Sequence, residues 1–183
     1  MKRMKTLNDL LTDLVKDIYY AEKQIVKTLP KMIKAAHDGE LIEAFESHLE
    51  ETHNHITRLE SIFEELGISP RAKKCPAIEG IIEEGKEVLN IDIEPDVLDS
   101  ALIVTGQKVE HYEMASYGSI RTFAETLGLE KVVRLAQETL NEEGDADKKL
   151  TEIADHINER AAVAVDAKGR LDTQYGGSLF SWS

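Results

Sequence analysis

The sequence predicts an all-α protein, folded as a four-helix bundle, and three observations lead to this fold class. Long segments rich in Ala, Glu, Lys, Leu and Ile repeat their apolar residues with the 3.6-residue period of an α-helix. The chain contains only four prolines, and aromatic residues make up 5% of it. Its 183 residues suffice for one well-formed core and are few for two domains.

The first helical hairpin is predicted from two apolar stripes that are separated by a turn at Asp38-Gly39. The first stripe predicts a helix over residues 6–36, in which Pro30 predicts a kink or a local break. The second stripe ends at Gly67, a residue type that commonly terminates helices.

A second hairpin follows after a long connection. Residues 77–89 within this connection are predicted to form a short amphipathic helix that is interrupted by two glycines. Pro95 begins the third long helix, Gly128 closes it, and the fourth long helix covers residues 130–162.

Two antiparallel helix pairs joined by one long connection define the ferritin-like topology of a four-helix bundle. The bundle is predicted to span residues 1–163, with the short extra helix in its crossover. Residues 164–183 lose the helical period and gain glycines, which predicts a mobile C-terminal tail.

Charge and cysteine content narrow the function and the location. The formal charge is −13, from 35 acidic and 22 basic side chains, and it repels nucleic acid and anionic membranes. Cys75 is the single cysteine, so an internal disulfide is excluded and a reducing compartment is favoured. The sequence shows neither a signal-like apolar region near its start nor an apolar run of about 18 residues. We therefore expect a cytoplasmic protein without nucleic-acid or membrane partners.

Several carboxylates fall on the apolar faces of the predicted helices. On a helical wheel, Glu22 lies within roughly 40° of the centre of the first apolar stripe, and Glu113 does the same on the third long helix. Glu110 lies on the flank of that third stripe. Glu143 falls near the centre of the fourth stripe, and Asp147 follows one turn later. Burying an ionised carboxylate without a partner costs several kcal/mol, so these residues require cations.

The predicted heights of these residues along the bundle agree. Glu22 lies about sixteen residues before the first turn, while Glu113 and Glu143 lie fifteen residues on either side of Gly128. At about 1.5 Å per residue, the three carboxylates reach a similar layer. Carboxylates that converge on one layer from different helices are typical of a dinuclear metal site.

The second helix offers two alternative pairs of ligands. Glu51 and His55 lie on the shoulder of its apolar stripe, and the height of His55 matches that of Glu22. Glu50 and His53 have the Glu-x-x-His spacing expected for a di-iron helix but point away from the apolar centre. We prefer the first pair and retain the second as the alternative.

One further histidine of the second helix faces inward. His48 is predicted to lie nearly two turns too close to the hairpin turn to reach the layer of the carboxylates. Its expected role is that of a hydrogen-bonded core histidine. The alternative to a metal site as a whole is a set of buried polar networks that bind no ion.

Five groups of residues form a specific pattern along the chain. They are Tyr20-Ala-Glu-Lys-Gln24, His48-Leu-Glu-Glu-Thr52, Ile78-Glu-Gly-Ile-Ile-Glu-Glu84, Gln107-Lys-Val-Glu-His-Tyr-Glu113 with Ala115-Ser-Tyr-Gly118, and Glu138-Thr-Leu140 with Glu142-Glu143 and Asp147. With this pattern, the sequence resembles the YciF-type bacterial stress proteins, a branch of the ferritin-like superfamily, over roughly residues 4–161.

The resemblance implies a helical, usually dimeric protein with a rubrerythrin-like dimetal site and a link to stress responses. Glu22, Glu110, Glu113 and Glu143 stand where rubrerythrin-like proteins place ligands. The fourth helix departs from active di-iron oxidases, because Ala146 occupies the position of the histidine in Glu-x-x-His.

The function expected from these observations is that of a stress-response protein with two bound metal ions. Iron is the expected metal, with manganese or zinc as alternatives, and the expected activity is that of a non-haem di-iron oxidase or peroxidase acting on peroxide or O₂, or in iron handling. The alternative function is that of a structural stress protein with a degenerate, metal-free site.

A homodimer is also expected. The short crossover helix carries four apolar residues on one side, outside the predicted bundle, where they need cover. These residues are Ile78, Ile81, Ile82 and Val88.

Overall fold

The computed structural model describes residues 4–162, and this range contains five helices. They are α1 (Leu7–Ala35), α2 (Gly39–Glu65), α3 (Pro76–Leu89), α4 (Pro95–Thr126) and α5 (Glu130–Ala161). The predicted all-α fold with a short crossover helix is confirmed. The predicted tail at residues 164–183 lies outside the described residues.

The four long helices form a closed bundle. α1 packs along α2 and α4 along α5 as hairpins, and the bundle is completed by contacts of α2 with α5 and of α1 with α4. Each long helix contributes fully or nearly fully buried apolar residues to the shared core, including Leu11, Phe45, Ile120 and Ile153. α3 lies outside this bundle and packs against α4 and α1.

The ends of the long helices are set by local chemistry. Thr6 and Asp9 form a capping box at the start of α1, and the side chain of Asp38 accepts backbone hydrogen bonds at the start of α2. Gly67 and Gly128 follow the ends of α2 and α4 with positive φ angles of 65° and 72°, a conformation that glycine adopts without steric cost.

A buried carboxylate connects the two hairpins. Asp99 of α4 is 1% exposed and accepts hydrogen bonds from the backbone amides of His37 (2.9 Å) and Asp38 (2.7 Å). These two amides belong to the turn between α1 and α2, so Asp99 attaches this turn to α4.

Two predicted interruptions are absent from the described helices. α1 continues through Pro30, and the side chain of Pro30 is exposed, so water can hydrate the carbonyl that loses its backbone donor. α3 likewise runs without a break through Gly80 and Gly85. The predicted local break at Pro30 and the interruption of the crossover helix are therefore wrong, whereas the alternative of a kink at Pro30 stays a prediction.

The apolar side of α3 does not need a second chain to cover it. Ile78 and Ile82 are 0% and 9% exposed within a single chain, because α3 packs its apolar side against α4 and α1. The homodimer itself stays a prediction.

Of the helices between residues 4 and 162, none is long and apolar enough to cross a bilayer.

The close approach of α3 and α4 depends on a glycine. A Cβ atom placed on Gly85 would lie 2.8 Å from Cγ2 of Thr105, which is β-branched and has its hydroxyl hydrogen-bonded to the carbonyl of Ala101. Thr105 therefore has little freedom to move aside. Gly80 of the same helix is exposed, and a Cβ there would meet no atom within 4 Å.

We predict opposite effects of alanine at these two glycines. Gly80→Ala should raise the free energy of unfolding by about 0.5–1 kcal/mol, because alanine is the better helix former. Gly85→Ala should lower it by about 1–2 kcal/mol, because overpacking outweighs the same gain. Urea denaturation measures the free energy of unfolding of both variants. The destabilisation caused by Gly85→Ala should be smaller in a Thr105→Ser background, because serine lacks Cγ2. Equal effects of the two alanine substitutions would contradict this account of the packing.

Candidate metal centre

Six titratable side chains from the four long helices are buried in the centre of the bundle, each at most 5% exposed. Four are carboxylates and two are imidazoles. They are Glu22 of α1, His48 and His55 of α2, Glu110 and Glu113 of α4, and Glu143 of α5.

These side chains form two groups with the spacing of metal ligands. In one group, ligand-type atoms of His48, Glu110, Glu113 and Glu143 all lie within 4.8 Å of one another. In the other group, the same holds for Glu22, His55 and Glu143. Glu143 belongs to both groups, so its carboxylate lies between the two.

Each histidine directs a ring nitrogen toward carboxylates of the cluster. His55 Nδ1 lies 3.0 Å from Glu143 Oε1 and 3.6 Å from Glu22 Oε1. His48 Nε2 lies 3.4 Å from Glu110 Oε1 and 4.0 Å from Glu143 Oε2. The two rings are close to each other as well, with centroids 6.2 Å apart.

Many polar atoms of the cluster are buried without a hydrogen-bond partner. They include both carboxylate oxygens of Glu113 and of Glu143, and one oxygen each of Glu22 and Glu110. No described lysine or arginine forms an ion pair with any of these four carboxylates. Buried polar atoms in folded proteins almost always have partners, so this cluster suits cations that the carboxylates and imidazoles would coordinate.

Burial and mutual repulsion govern the protonation of the carboxyl groups. Burial raises the pKa of Glu113 well above its usual range, and the neighbouring charges of Glu143, Glu22 and Glu110 raise it further. Burial also raises the pKa of Glu110 well above its usual range, although His48 opposes the shift. The pKa of Glu143 is raised by burial against the opposing contacts with His55 and Glu110.

The histidines respond in the opposite way to the same charges. Burial lowers the pKa of His55, but its contacts with Glu143 and Glu22 outweigh burial and raise the pKa to about 11. Burial lowers the pKa of His48 as well, but Glu110, Glu51 and Glu22 together outweigh burial and raise this pKa. Without cations, protons on these groups therefore reduce the negative charge of the cluster.

A second layer of residues orients the inner ones. His55 Nε2 lies 2.9 Å from an oxygen of Glu142, whose carboxylate also accepts hydrogen bonds from Arg58. An imidazole that donates one N–H to a carboxylate and presents its other nitrogen to the site has the usual arrangement of a metal-ligating histidine. Tyr117, 1% exposed, donates a hydrogen bond to Glu22, and burial raises the pKa of its hydroxyl well above the usual range.

The structure brings together Glu22, His55, Glu110, Glu113 and Glu143 of the predicted site residues. The other four predicted residues lie outside these two groups. Glu51 is partly exposed, at 37% for its side chain, and Asp147 pairs with exposed His111 at 3.2 Å. The alternative pair on α2, Glu50 and His53, lies on the exposed surface.

Sequence reasoning missed His48 and the second-layer residues. The prediction that His48 is a hydrogen-bonded core histidine distant from the site is wrong, because neither ring nitrogen forms a hydrogen bond and Nε2 faces Glu110. Glu110 could have indicated the role of His48 from the sequence. It lies one turn before Glu113 on α4 and therefore extends the carboxylate cluster toward His48. No comparable signal marked Glu142 or Tyr117, whose contacts depend on helix rotation.

Comparison of the sequence and the fold with known proteins identifies relatives of this chain. Residues 6–163 match the family described as "Domain of unknown function (DUF892)". Protein YciF of Escherichia coli strain K12 is 45% identical over 160 residues, which are 86% of this chain and 96% of YciF. The crystal structure of that stress protein has a TM-score of 0.83 at 44% identity and covers 86% of this chain and 99% of its own.

Two further solved structures resemble this one. YcfI of Rhodopseudomonas palustris, named as a candidate structural protein, has a TM-score of 0.79 at 45% identity, over 82% of this chain and 96% of its own. A protein of Xanthomonas campestris pv. campestris has a TM-score of 0.68 at 20% identity, over 85% of this chain and 96% of its own, and shares the fold.

We predict that Glu113→Gln stabilises the protein in the presence of EDTA. Folding without metal requires Glu113 either to bury a charge or to take up a proton, and proton uptake at pH 7 costs up to about 4 kcal/mol. Glutamine has nearly the same shape and avoids this cost. Urea denaturation should show a higher free energy of unfolding for Glu113→Gln and no change for Glu50→Gln, a matched change on the exposed face of α2. A destabilised Glu113→Gln protein would indicate that the carboxylate stabilises the fold.

Proposed function

This chain belongs to the DUF892 family, and we propose that it is a ferritin-like stress-response protein that binds a dinuclear metal centre through its bundle carboxylates. Iron is the proposed metal, and manganese or zinc are the alternatives. The proposed role is the handling of peroxide, O₂ or iron. YciF of Escherichia coli, a relative across most of this chain, is named a stress protein.

One observation carries the proposal: Glu143 is shared by two groups of buried ligand-type atoms. A carboxylate in that position suits a bridging ligand between two cations, which in dinuclear sites lie about 3.5–4 Å apart. His48, Glu110 and Glu113 would complete one metal position, and Glu22 with His55 the other.

The charges of the cluster support two cations. Four buried carboxylates face two histidines, so protonation of both imidazoles would still leave negative charge in the core. Carboxylate and imidazole ligands suit iron and manganese, and a bound redox-active metal would supply electron transfer to or from peroxide or O₂. Of the chain's own residues, Glu142 would orient His55, and the hydrogen bond from Tyr117 would orient Glu22.

The second candidate function is that of a structural stress protein without metal. It is favoured by the contacts of His55 with Glu143 and Glu22, which neutralise part of the charge within the chain. The presence of Ala146 at the position of a histidine ligand also favours the structural function. The relative YcfI is named as a candidate structural protein. Metal analysis of protein purified without chelator separates the two functions. If metal is present, anaerobic iron loading followed by a peroxide-consumption assay tests for turnover.

We predict that His55→Ala lowers metal content whereas His53→Ala leaves it at the wild-type level. His55 is fully buried between Glu22 and Glu143, while His53, half a turn away on α2, is exposed. Loss of an outer-shell partner alone typically weakens metal binding about 10- to 100-fold, so loss of a direct imidazole ligand should weaken it by at least about tenfold, as measured by equilibrium dialysis against Fe²⁺ under argon. Loss of metal in the His53 variant alone would restore the Glu50-x-x-His53 alternative. Wild-type protein without metal would favour the structural function.

We also propose a homodimer, as the resemblance implies. Val97 and Val104, two turns apart on one face of α4, are 44% and 51% exposed and offer an apolar surface. Light scattering at micromolar concentration should give roughly twice the 20.5 kDa of one chain. Val104→Glu should shift the mass toward the monomer, whereas Ile91→Glu, at the exposed connection before α4, should not. A wild-type monomer would contradict the proposal.

A further inference from the structure

A cavity of about 290 Å³ lies between α2 and α5 and reaches the buried cluster from outside. Its inner end is formed by His48 and Glu110, which belong to the cluster. Four further acidic residues line its walls, two from each helix. They are Glu43 and Glu51 of α2, and Glu142 and Asp145 of α5. We refer to this cavity as the acidic cleft.

The residues that line the acidic cleft carry a net negative charge. Glu142 is engaged by Arg58, but no hydrogen bond or ion pair within residues 4–162 engages Glu43 or Asp145. Lys149 is the basic residue among those that line the cleft. A concave surface lined by charges of one sign concentrates the opposite ion and accelerates its arrival.

A series of ligand-type atoms leads from the cleft into the cluster. Glu51 Oε2 lies 3.6 Å from His48 Nδ1, and His48 Nε2 lies 3.4 Å from Glu110 Oε1. Side-chain exposure falls along this series from 37% for Glu51 to 6% for His48 and 3% for Glu110. Both ring nitrogens of His48 are buried without a hydrogen-bond partner, and in the neutral imidazole one of them has a lone pair that can bind a cation from the cleft.

The opposite side of the cluster has a different character. There a cavity of about 30 Å³ between α1, α3 and α4 also reaches His48 and Glu110, but its walls are mainly apolar, with residues such as Ile25, Leu102 and Val109. A cation that entered on this side would lose its hydration water before it met a ligand, at a cost of many kcal/mol. The acidic cleft therefore suits the entry of a hydrated cation, whereas the apolar cavity does not.

We propose that the acidic cleft is the route by which a divalent cation enters the buried cluster, with Glu51 receiving the ion at the mouth and His48 passing it to Glu110 and Glu143. The inference rests on the proposed metal-binding function and adds the path and its residues. Along this path, oxygen and nitrogen ligands replace the water of the ion stepwise, so the ion is never left without partners.

Ala146 keeps the route open. It lines the cleft beside Asp145, one turn after Glu143, and its methyl group leaves space that a larger side chain would fill. Ala146→Leu should therefore obstruct the cleft without removing a ligand-type atom. Asp145→Asn removes one charge at the mouth and preserves the shape.

The test is the rate at which the full-length, EDTA-stripped protein takes up Zn²⁺. Stopped-flow mixing with a metallochromic indicator reports the free Zn²⁺, and dialysis gives the final stoichiometry. We expect Ala146→Leu to load at least about tenfold more slowly than wild type, and Asp145→Asn roughly twofold more slowly at low ionic strength, with a weaker dependence on salt. Both variants should reach the wild-type stoichiometry. Ala115→Leu, on the exposed face of α4, is the matched control and should load at the wild-type rate.

The outcomes separate the route from the function. If wild type binds Zn²⁺ and both cleft variants load as fast as wild type, the route is wrong and the metal-binding function stands. If wild type takes up no Zn²⁺, the function fails and the route fails with it. Circular dichroism verifies the fold of Ala146→Leu, and if that variant does not fold, the rate and salt dependence of Asp145→Asn decide.

Discussion

The central physical constraint on this bundle is the burial of four carboxylates, with which no lysine or arginine among residues 4–162 forms an ion pair. Glu113 is the extreme case, because neither of its oxygens has a hydrogen-bond partner. Burying such a charge opposes folding, and therefore the apolar packing of the long helices must compensate until cations or protons neutralise the cluster. The second layer follows from the same constraint. Arg58 lies one residue layer out, where it pairs with Glu142 while His55 remains turned toward the inner carboxylates.

Helical periodicity was sufficient to predict the fold and the inward carboxylates, because both depend on which face of a helix each residue occupies. It placed His55 inside and His53 outside, as the structure does. Periodicity misplaced His48 because a residue count gives the position of the backbone along the bundle axis. It does not account for the length and direction of the side chain. The rings of His48 and His55 start two turns apart and end with centroids 6.2 Å apart. Periodicity likewise indicated an apolar face on α3 but could not identify its neighbour, which depends on the close contact of Gly85 with Thr105.

The ion pairs of the cluster also explain why a metal-bound and a metal-free form are both chemically reasonable. His55 is drawn to a protonated state by Glu143 and Glu22, and a metal ion at its Nδ1 would have to displace that proton. Metal binding would therefore be coupled to proton release and would weaken in acid. The hydrogen bond from Tyr117 constrains Glu22 in either form, since it occupies one carboxylate oxygen and leaves Oε2 without a partner.

One turn of α5 serves two purposes at once, since it carries Glu143 in the cluster and Asp145 and Ala146 in the wall of the acidic cleft. The side chain at position 146 would thus affect both the number of ligands of a metal centre in the cluster and the width of the acidic cleft. A histidine there would add a nitrogen donor and at the same time narrow the opening, so coordination strength and accessibility cannot be varied independently at this position. Alanine represents one extreme of that compromise, in which a metal centre would gain access to the surroundings at the cost of one ligand.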